Sequence, residues 1–300
     1  MTVLPTIGYR GMIMLEVRNL RKKYGDREVL SSLSFKAQKG EIVSLLGANG
    51  SGKTTTFKIM LGLLQADEGE VTYKRRKLDV RKIGYLPEER SMMYDVTVER
   101  QLVFFGKLKG MSEGNINSEI GHWLDKTKTV RYRDMLPMQL SKGNQQKIQL
   151  IISLLHDPDV VIMDEPWTGL DQSNIALFQR VLDEQRKAGK IIVLSSHQHQ
   201  QVQDICDRYL YLKDGKIRIN VTRKQLENDR RRTVRFVNDR DLTITRDQAI
   251  TKQRNGNVTA CIVQDEEKAD ALLKKIRSNS NVISYSVAPM TISDLIEALR

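Results

Sequence analysis

Residues 47–55 read Gly47-Ala48-Asn49-Gly50-Ser51-Gly52-Lys53-Thr54-Thr55 and satisfy the pattern G-x-x-x-x-G-K-[ST] in full. The loop follows a short apolar run at 41–46 and precedes residues 54–64, whose apolar side chains recur at helical spacing. A glycine-rich loop between a strand and a helix lets backbone N–H groups wrap a phosphate chain at the positive end of the helix. The sequence therefore predicts a P-loop that binds the phosphates of a nucleotide.

Two side chains of this loop have specific roles in such a site. Lys53 is expected to reach the β- and γ-phosphates, and the hydroxyl of Thr54 is expected to bind Mg²⁺. The residues predicted to contact the nucleotide are Gly47, Asn49, Gly50, Ser51, Gly52, Lys53, Thr54 and Thr55.

A second run, Val160-Val161-Ile162-Met163-Asp164-Glu165, is an apolar strand that ends in two acids. Asp164 is predicted to hold the Mg²⁺ shell, and Glu165 to polarise the water that attacks the phosphate. Alone this pattern is weak, because buried strands often end on an acid. Together with the P-loop it predicts nucleotide hydrolysis.

Strand-like and helix-like segments alternate through the first two thirds of the chain, which predicts an α/β domain with a mainly parallel sheet. The region from about 89 to 140 reads as mostly helical. Further helices are predicted at 145–155 and 174–187, and a strand at 190–195. The expected domains are an N-terminal tail at 1–13, an ATPase domain at 14–222 with a helical subdomain at about 89–140, and an accessory domain at 223–300.

The last segment reads as a small α+β unit. Strands are predicted at 233–237, 257–263 and 282–287. Asp265 is expected to cap a helix that runs to Arg277, and Thr291 with Asp294 fits a capping box at the start of a final helix.

Composition limits the possible functions. The 300 residues carry a net charge of +12, and no run approaches the roughly 20 apolar residues of a membrane span. The two cysteines, Cys206 and Cys261, have no metal-site spacing, so we expect a reducing compartment and no disulfide. The basic clusters lack interleaved aromatic residues, so no nucleic-acid partner is predicted, and the basic surface is expected to face anionic lipid or a partner protein.

Three further motifs carry a resemblance to a known family. Leu140-Ser141-Lys142-Gly143-Asn144-Gln145 resembles the ABC signature Leu-Ser-Gly-Gly-Gln. Thr168-Gly169-Leu170-Asp171 is similar to the D-loop of that family, and Ser195-Ser196-His197 is similar to its H-loop. Five motifs thus follow the family's order between residues 14 and 220, and on them the chain is identified as a member of the ABC (ATP-binding cassette) ATPases.

The resemblance implies a P-loop NTPase of the ABC type, with a mixed sheet core and a helical subdomain, followed by a small α+β domain. It implies a head-to-tail homodimer that encloses two ATP molecules. Ser141 and Gly143 of one subunit would contact the γ-phosphate held by the other, with Asp171 also at the nucleotide. His197 would reach the same phosphate from the P-loop side, and Tyr24 would lie against adenine.

Three positions depart from the family pattern. Lys142 and Asn144 replace a glycine and the glutamine of the signature, and Glu88 stands where the family usually has glutamine. Glu88 still offers an oxygen to Mg²⁺, with Thr54 and Asp164 as the other predicted ligands. Leu-Pro-Glu-Glu-Arg at 86–90 and Leu-Ser-Lys-Gly-Asn-Gln-Gln-Lys at 140–147 resemble the branch that serves sodium, drug or peptide exporters.

The resemblance therefore implies an ATP-hydrolysing subunit that drives export through a separate integral membrane permease. Such a subunit lies in the cytoplasm, peripherally on the inner face of the cell membrane, and does not itself bind the small-molecule cargo. Two alternatives stay open. One is a soluble ABC ATPase outside transport, although translational members carry two cassettes and repair members carry long insertions. The other is a weakly catalytic, ATP-dependent regulator, which Glu88 and the altered signature allow.

Overall fold

The computed structural model describes residues 14–197, 199–238, 243–245, 247–278 and 282–299. The predicted tail at 1–13 lies outside them. The chain forms two compact units, Met1–Arg218 and Ile219–Arg300. The strands are β1 (Met14–Tyr24), β2 (Arg27–Gln38), β3 (Ile42–Leu46), β4 (Glu68–Tyr73), β5 (Arg76–Lys77), β6 (Ile83–Leu86), β7 (Val160–Met163), β8 (Ile191–Ser196), β9 (Arg208–Lys213), β10 (Lys216–Thr222), β11 (Arg232–Asn238), β12 (Thr251–Asn255), β13 (Val258–Val263) and β14 (Val282–Pro289). The helices are α1 (Lys53–Met60), α2 (Val98–Leu108), α3 (Glu113–Lys126), α4 (Lys142–Leu154), α5 (Gln172–Lys187), α6 (His199–Gln203), α7 (Arg223–Glu227), α8 (Glu266–Arg277) and α9 (Ile292–Glu297).

The central sheet of the first unit has the order β10-β9-β3-β8-β7-β6. From β9 to β6 in this order each strand is parallel to the next, which confirms the predicted α/β class. In a parallel sheet the carboxyl ends of the strands meet at one edge, and ligands bind outside that edge. The loops after β3, β7 and β8 therefore converge, and they carry the P-loop, the acid pair and His197.

A second, antiparallel sheet in the first unit has the order β2-β1-β4-β5. Strands β4 and β5 are joined by a tight hairpin in which Tyr73 pairs with Arg76. The two residues between them, Lys74 and Arg75, have left-handed backbones with φ of 53° and 62°. Two consecutive residues with positive φ are typical of a type I′ turn, in which Asn-Gly is the preferred sequence. This hairpin therefore holds two side-chain-bearing residues in a strained conformation.

One hydrophobic core joins the two sheets and α1. Apolar side chains of the antiparallel sheet, such as Leu15 and Leu33, pack in the same buried cluster as Leu45 and Val193 of the parallel sheet. Phe57 of α1 is fully buried in that cluster. Burying such a side chain contributes about 1.5–3 kcal/mol. The helix that follows the P-loop is thus fixed to the sheet that carries the acid pair.

Strand β6 and helix α4 approach each other at backbone distance. A Cβ atom on Gly84 would lie 2.0 Å from the carbonyl oxygen of Ser153 in α4 and 2.9 Å from Cγ of Pro158. Only glycine fits this position without moving one of the two elements. The contact fixes the strand that leads to Glu88 against the helix that begins at the signature.

The region predicted as helical contains α2 and α3, followed by single 3₁₀ turns at Val130–Tyr132 and Pro137–Gln139. Gln101 of α2 is fully buried. Its amide donates to the carbonyls of Met93 (2.9 Å) and Val96 (2.7 Å) and accepts from the N–H of Met93 at 3.0 Å. One side chain thereby fixes the loop before α2. No helix in the described part of the chain is long and apolar enough to cross a membrane.

The second unit is built on an antiparallel sheet with the order β12-β13-β11-β14, and α8 packs on one face through Ala269, Leu272 and Ile276. Asp265 accepts the N–H of Lys268 at 2.9 Å and caps α8, as predicted. Thr291 and Asp294 form the predicted capping box at the start of α9. These contacts confirm the predicted α+β character.

Candidate nucleotide-binding site

A cleft of about 550 Å³ opens at the carboxyl edge of the parallel sheet. It brings together residues from the P-loop, from the loops after β6 and β7, and from the β1–β2 hairpin. Its lining residues are Tyr24, Arg27, Val29, Asn49, Gly50, Gly52, Lys53, Thr54, Thr55, Glu88, Asp164 and Glu165.

The P-loop needs its glycines for backbone conformation and for space. Gly50 and Gly52 have φ of 78° and 108°, a region that residues with a Cβ rarely adopt. A Cβ on Gly52 would also lie 2.7 Å from Cδ2 of Leu30. Helix α1 begins at the next residue, Lys53, so its positive end points into the cleft.

Lys53 is a buried cation, with 6% of its surface exposed. Its Nζ donates to the carbonyl oxygens of Gly47 (2.8 Å) and Ala48 (3.2 Å) and lies 4.0 Å from Oε1 of Glu165. Burial lowers the pKa of the Lys53 ammonium, and the nearby carboxylates, led by Glu165, oppose that shift. The loop thus holds its own lysine on backbone carbonyls, ready to exchange these acceptors for phosphate oxygens.

Asp164 and Thr54 form the part of the cleft suited to a cation. The Thr54 hydroxyl donates to Oδ2 of Asp164 at 3.0 Å, and Asp164 is 2% exposed. In the described residues, no group of three or more His, Cys, Asp or Glu side chains is arranged to hold a metal ion by itself. Mg²⁺ is usually bound through one or two carboxylates together with substrate phosphates. A hydroxyl and a carboxylate in contact beside the P-loop fit that requirement, and Glu88 lines the same cleft.

Glu165 follows Asp164 with an unusual backbone. Its φ is 47°, although it is not a glycine, and only 5% of it is exposed. Its Oε2 lies 2.8 Å from Nδ1 of His197, while its buried Oε1 has no hydrogen-bond partner among the described residues. Strained backbone of this kind concentrates at functional sites. The carboxylate is therefore held from one side and free to accept a water molecule on the other.

Two lining residues were not predicted from the sequence. Arg27 and Val29 belong to β2, and Arg27 pairs with Tyr24 across the β1–β2 hairpin. The sequence does contain a signal for Arg27. A tight turn directly after Tyr24 places Arg27 opposite Tyr24, and Tyr24 was already predicted to lie at the nucleotide. Tyr24 is half exposed at the mouth of the cleft, where a flat ligand can lie against its ring.

Ser141, Gly143 and Asp171 do not line the cleft but lie near one another. Ser141 caps α4 by accepting the N–H of Asn144 at 3.4 Å, and Asp171 caps α5 by accepting the N–H of Asn174 at 2.8 Å. A Cβ on Gly143 would lie 2.8 Å from Nδ2 of Asn174, so the starts of α4 and α5 are in close contact. The signature and the D-loop thus form a second surface, distinct from the P-loop cleft.

The side chain of Asn144, which replaces the glutamine of the signature, is occupied within the chain. Its Nδ2 donates to the hydroxyl of Tyr132 at 2.8 Å. Gln145 is buried and donates to the carbonyl of Pro137 at 2.8 Å. Lys142, in contrast, is exposed at the start of α4. Lys142, at the other substituted position, therefore adds a positive charge to this surface.

A P-loop, an acid pair and a histidine on one parallel sheet define the class, a nucleotide-hydrolysing P-loop protein. The family model described as ABC transporter matches residues 30–168. An uncharacterised ABC transporter ATP-binding protein of Methanocaldococcus jannaschii is 46% identical over 202 residues, which is 67% of this chain and 75% of that protein. The chain belongs to the ATP-binding subunits of ABC transporters, and it binds ATP.

Two further comparisons extend this result. The Nod factor export ATP-binding protein I of Burkholderia lata is 32% identical over 271 residues, covering 87% of this chain and 89% of that protein. That match is longer than the first compact unit and so includes part of the second. The dimeric post-hydrolysis structure of an ATP-binding cassette bound to ADP and Pi superposes with a TM-score of 0.62 at 25% identity, covering 70% of this chain and 98% of that one.

Proposed function

We propose that this chain hydrolyses ATP as a homodimer and drives export through an integral membrane permease. The observation that carries the proposal is the division of the motif residues into two surfaces. Lys53, Asp164 and Glu165 line one cleft, whereas Ser141 and Gly143 lie on another surface. A head-to-tail dimer would bring the signature surface of one chain onto the cleft of the other and complete two sites. The solved relative described as dimeric with bound ADP and Pi supports this arrangement.

Within each site the residues have distinct tasks. Lys53 and the P-loop amides bind and orient the phosphates. The free Oε1 of Glu165 accepts a hydrogen bond from water and orients it for attack, and His197 holds the other carboxylate oxygen at 2.8 Å. Thr54, Asp164 and Glu88 would hold Mg²⁺, which neutralises charge on the phosphate oxygens. Tyr24 would contact the adenine, and Asp171 would face the nucleotide from the partner.

The proposal of export rests on the relative that is named for Nod factor export and that matches most of the chain. In this proposal the chain is located at the inner face of the cell membrane through the permease. The helical region at about 89–140 transmits dimer closure to that permease. The cargo is bound by the permease and not by this subunit.

The test uses tagged Glu165→Gln protein, expressed in its native cell and purified with ATP and Mg²⁺ from detergent-solubilised membranes. The amide keeps the size of Glu165 but cannot polarise water as well, so ATP should persist and hold the dimer. We expect a dimer by size-exclusion chromatography and a polytopic membrane protein in near-stoichiometric amount by mass spectrometry. The control is Glu165→Gln combined with Lys53→Met, which should bind little ATP and remain monomeric.

The outcomes separate the parts of the proposal. If only soluble or nucleic-acid-bound partners co-purify, the exporter assignment is wrong and a non-transport ATPase is favoured. If Glu165→Gln hydrolyses ATP at nearly the wild-type rate, the role given to Glu165 is wrong.

A weakly catalytic regulator is the second candidate, because a third carboxylate, Glu88, lines the cleft beside Asp164 and Glu165. The added negative charge opposes phosphate binding. Steady-state ATPase activity of the assembled complex distinguishes the two functions, since a regulator would turn over little ATP even when the permease is present.

A further inference from the structure

Ser195 is a buried residue that contacts both acids at once. It lies on β8, next to β7, and is fully buried. Its Oγ donates to Oδ1 of Asp164 at 2.5 Å and accepts the backbone N–H of Glu165 at 2.8 Å. A single hydroxyl thus connects the residue predicted to face the metal with the residue predicted to activate water.

The backbone at Glu165 explains why a hydroxyl is needed there. Strand β7 ends at Met163, so the N–H of Glu165 lies beyond the strand, and its acceptor is the Ser195 hydroxyl at 2.8 Å. A buried N–H requires an acceptor, and a buried carboxylate is stabilised by donors. A hydroxyl is both donor and acceptor, whereas an apolar side chain at this position would remove the partner of Oδ1 of Asp164 and of the Glu165 N–H. Ser195 therefore supports the strained residue.

The same contact fixes Asp164. Ser195 occupies Oδ1, and Thr54 donates to Oδ2 at 3.0 Å, so each carboxylate oxygen has a partner. If Ser195 holds Oδ1, the carboxylate keeps Oδ2 turned toward Thr54 and the cleft. Without that contact the carboxylate is free to rotate away from the position where a cation and the Thr54 hydroxyl share it.

We propose that Ser195 is a positioning residue for hydrolysis, which sets the cation-facing orientation of Asp164 and, through the amide of Glu165, the position of the water-activating carboxylate. Ser195 is fully buried and does not line the cleft, so its proposed action on the nucleotide and the metal is indirect. The proposal rests on the function proposed above. Hydrogen-bonded residues behind a metal ligand typically change metal affinity or activity by about 10–100-fold when they are removed.

Ser44 provides a matched control. It lies on β3, the other neighbour of β8 in the sheet, and it is also fully buried. Its Oγ donates to the backbone carbonyl of Arg208 at 3.3 Å. Ser44→Ala therefore removes one buried hydroxyl from the same sheet without removing a contact to Asp164 or Glu165.

The experiment compares wild type, Ser195→Ala and Ser44→Ala as full-length proteins. ATP affinity is measured by isothermal titration calorimetry in EDTA and in Mg²⁺, and turnover is measured against Mg²⁺ concentration. For Ser195→Ala we expect ATP affinity in EDTA within about twofold of wild type, and a Mg²⁺ concentration for half-maximal turnover raised about 10–100-fold. The enhancement of ATP affinity by Mg²⁺ should shrink in the same variant. Ser44→Ala should match wild type in all three measurements.

The proposal is overturned if Ser195→Ala keeps the wild-type Mg²⁺ dependence, or if Ser44→Ala shifts it equally. If Ser195→Ala does not fold, Ser195→Cys is measured instead. The cysteine thiol is similar in size to the serine hydroxyl but is a weaker hydrogen-bond donor and acceptor. The half-maximal Mg²⁺ concentration of this variant should rise at least about fivefold, and a wild-type value would refute the role. Failure of the proposed function itself looks different, because the wild-type protein would then show little Mg²⁺-dependent turnover, while the effect of Ser195→Ala on the Mg²⁺ enhancement of ATP affinity would still be measurable.

Discussion

Glu88 lines the nucleotide cleft with a carboxylate where the family pattern usually has an uncharged amide. It is exposed, and its negative charge acts on Lys53 together with Glu165 and Asp164. At the scale of single residues, the cleft therefore holds three carboxylates around one buried ammonium, and the guanidinium of Arg27 also belongs to its lining. The phosphates of ATP are also negatively charged. Their repulsion by these carboxylates therefore weakens ATP binding.

The first prediction concerns Glu88→Gln. Removing one exposed negative charge should tighten ATP binding about threefold in EDTA, and the gain should shrink as salt is added. Calorimetric titration at two salt concentrations measures both effects. Glu89→Gln is the control, because Glu89 is exposed one residue further on and does not line the cleft. Equal effects of the two variants would show that the cleft does not sense residue 88 specifically.

The second prediction concerns His156. Burial, reinforced by Lys109, lowers the pKa of His156 from 6.5 to about 4, although Nε2 of the ring lies 3.1 Å from the carbonyl oxygen of Ile83. In the unfolded chain this ring takes up a proton near pH 6.5, but the folded protein resists it until about pH 4. The unfolded state therefore binds more protons in that window, and stability falls as the pH drops from 6.5 toward 4.

His156→Gln keeps a donor for Ile83 and removes the titration. Between pH 7.5 and pH 5 the variant should lose about 1 kcal/mol less stability than wild type, after allowance for the partial exposure of the ring. Thermal unfolding at the two pH values checks this. Equal losses in the two proteins would show that His156 does not contribute to the acid sensitivity.

At the scale of secondary-structure elements, the close contact between β6 and α4 connects the approach to Glu88 with the signature helix. Gly84→Ala would place a methyl group 2.0 Å from the Ser153 carbonyl, so strand and helix must separate. We expect a loss of about 3 kcal/mol or more in the free energy of unfolding. The control, Gly121→Ala, lies in α3 with no heavy atom within 4 Å of the added Cβ, and it should stabilise by about 0.5–1 kcal/mol. Denaturant titration distinguishes the two, and a loss under about 1 kcal/mol for Gly84→Ala would show that the elements adjust easily.

The same elements show what the sequence could predict. The strand–loop–helix unit around Lys53 was predictable, because the glycines, the apolar strand and the helical spacing are all local signals. Strand β6 was not predicted, since it has four residues with a glycine in the middle and shows no alternation. The contributions of Arg27 and Ser195 to the site were missed for different reasons. Arg27 lies opposite Tyr24 across the turn between β1 and β2, a local signal that was overlooked. Ser195 was recognised within the H-loop motif, but its contacts with Asp164 and Glu165 depend on the pairing of β7 with β8, which no local pattern encodes.

At the scale of the whole molecule, every residue that lines the cleft belongs to the first compact unit. A chain that ends at Thr222, after β10, keeps all of them and the complete parallel sheet. We expect its ATP affinity to lie within about threefold of that of the full chain, as measured by calorimetry. A cooperative thermal transition serves as the folding control. An affinity more than about tenfold weaker would show that residues 223–300 support nucleotide binding.

The strained hairpin between β4 and β5 offers a route to a more heat-resistant protein. Lys74 and Arg75 hold positive φ values that Asn-Gly adopts with little cost, while Lys74 gains from its position 4.9 Å above the Tyr73 ring. Replacing the pair by Asn-Gly removes this cation–π contact and an exposed ion pair in which Nζ of Lys74 lies 4.0 Å from Oδ2 of Asp159. The replacement should still raise the melting temperature by about 2–4 °C, since the relieved strain exceeds these two weak contacts. A lower melting temperature would show that the lost contacts of Lys74 stabilise the protein more than the relief of backbone strain does. Because Lys74 and Arg75 do not line the cleft, such a variant suits crystallisation and long assays of the unaltered catalytic machinery.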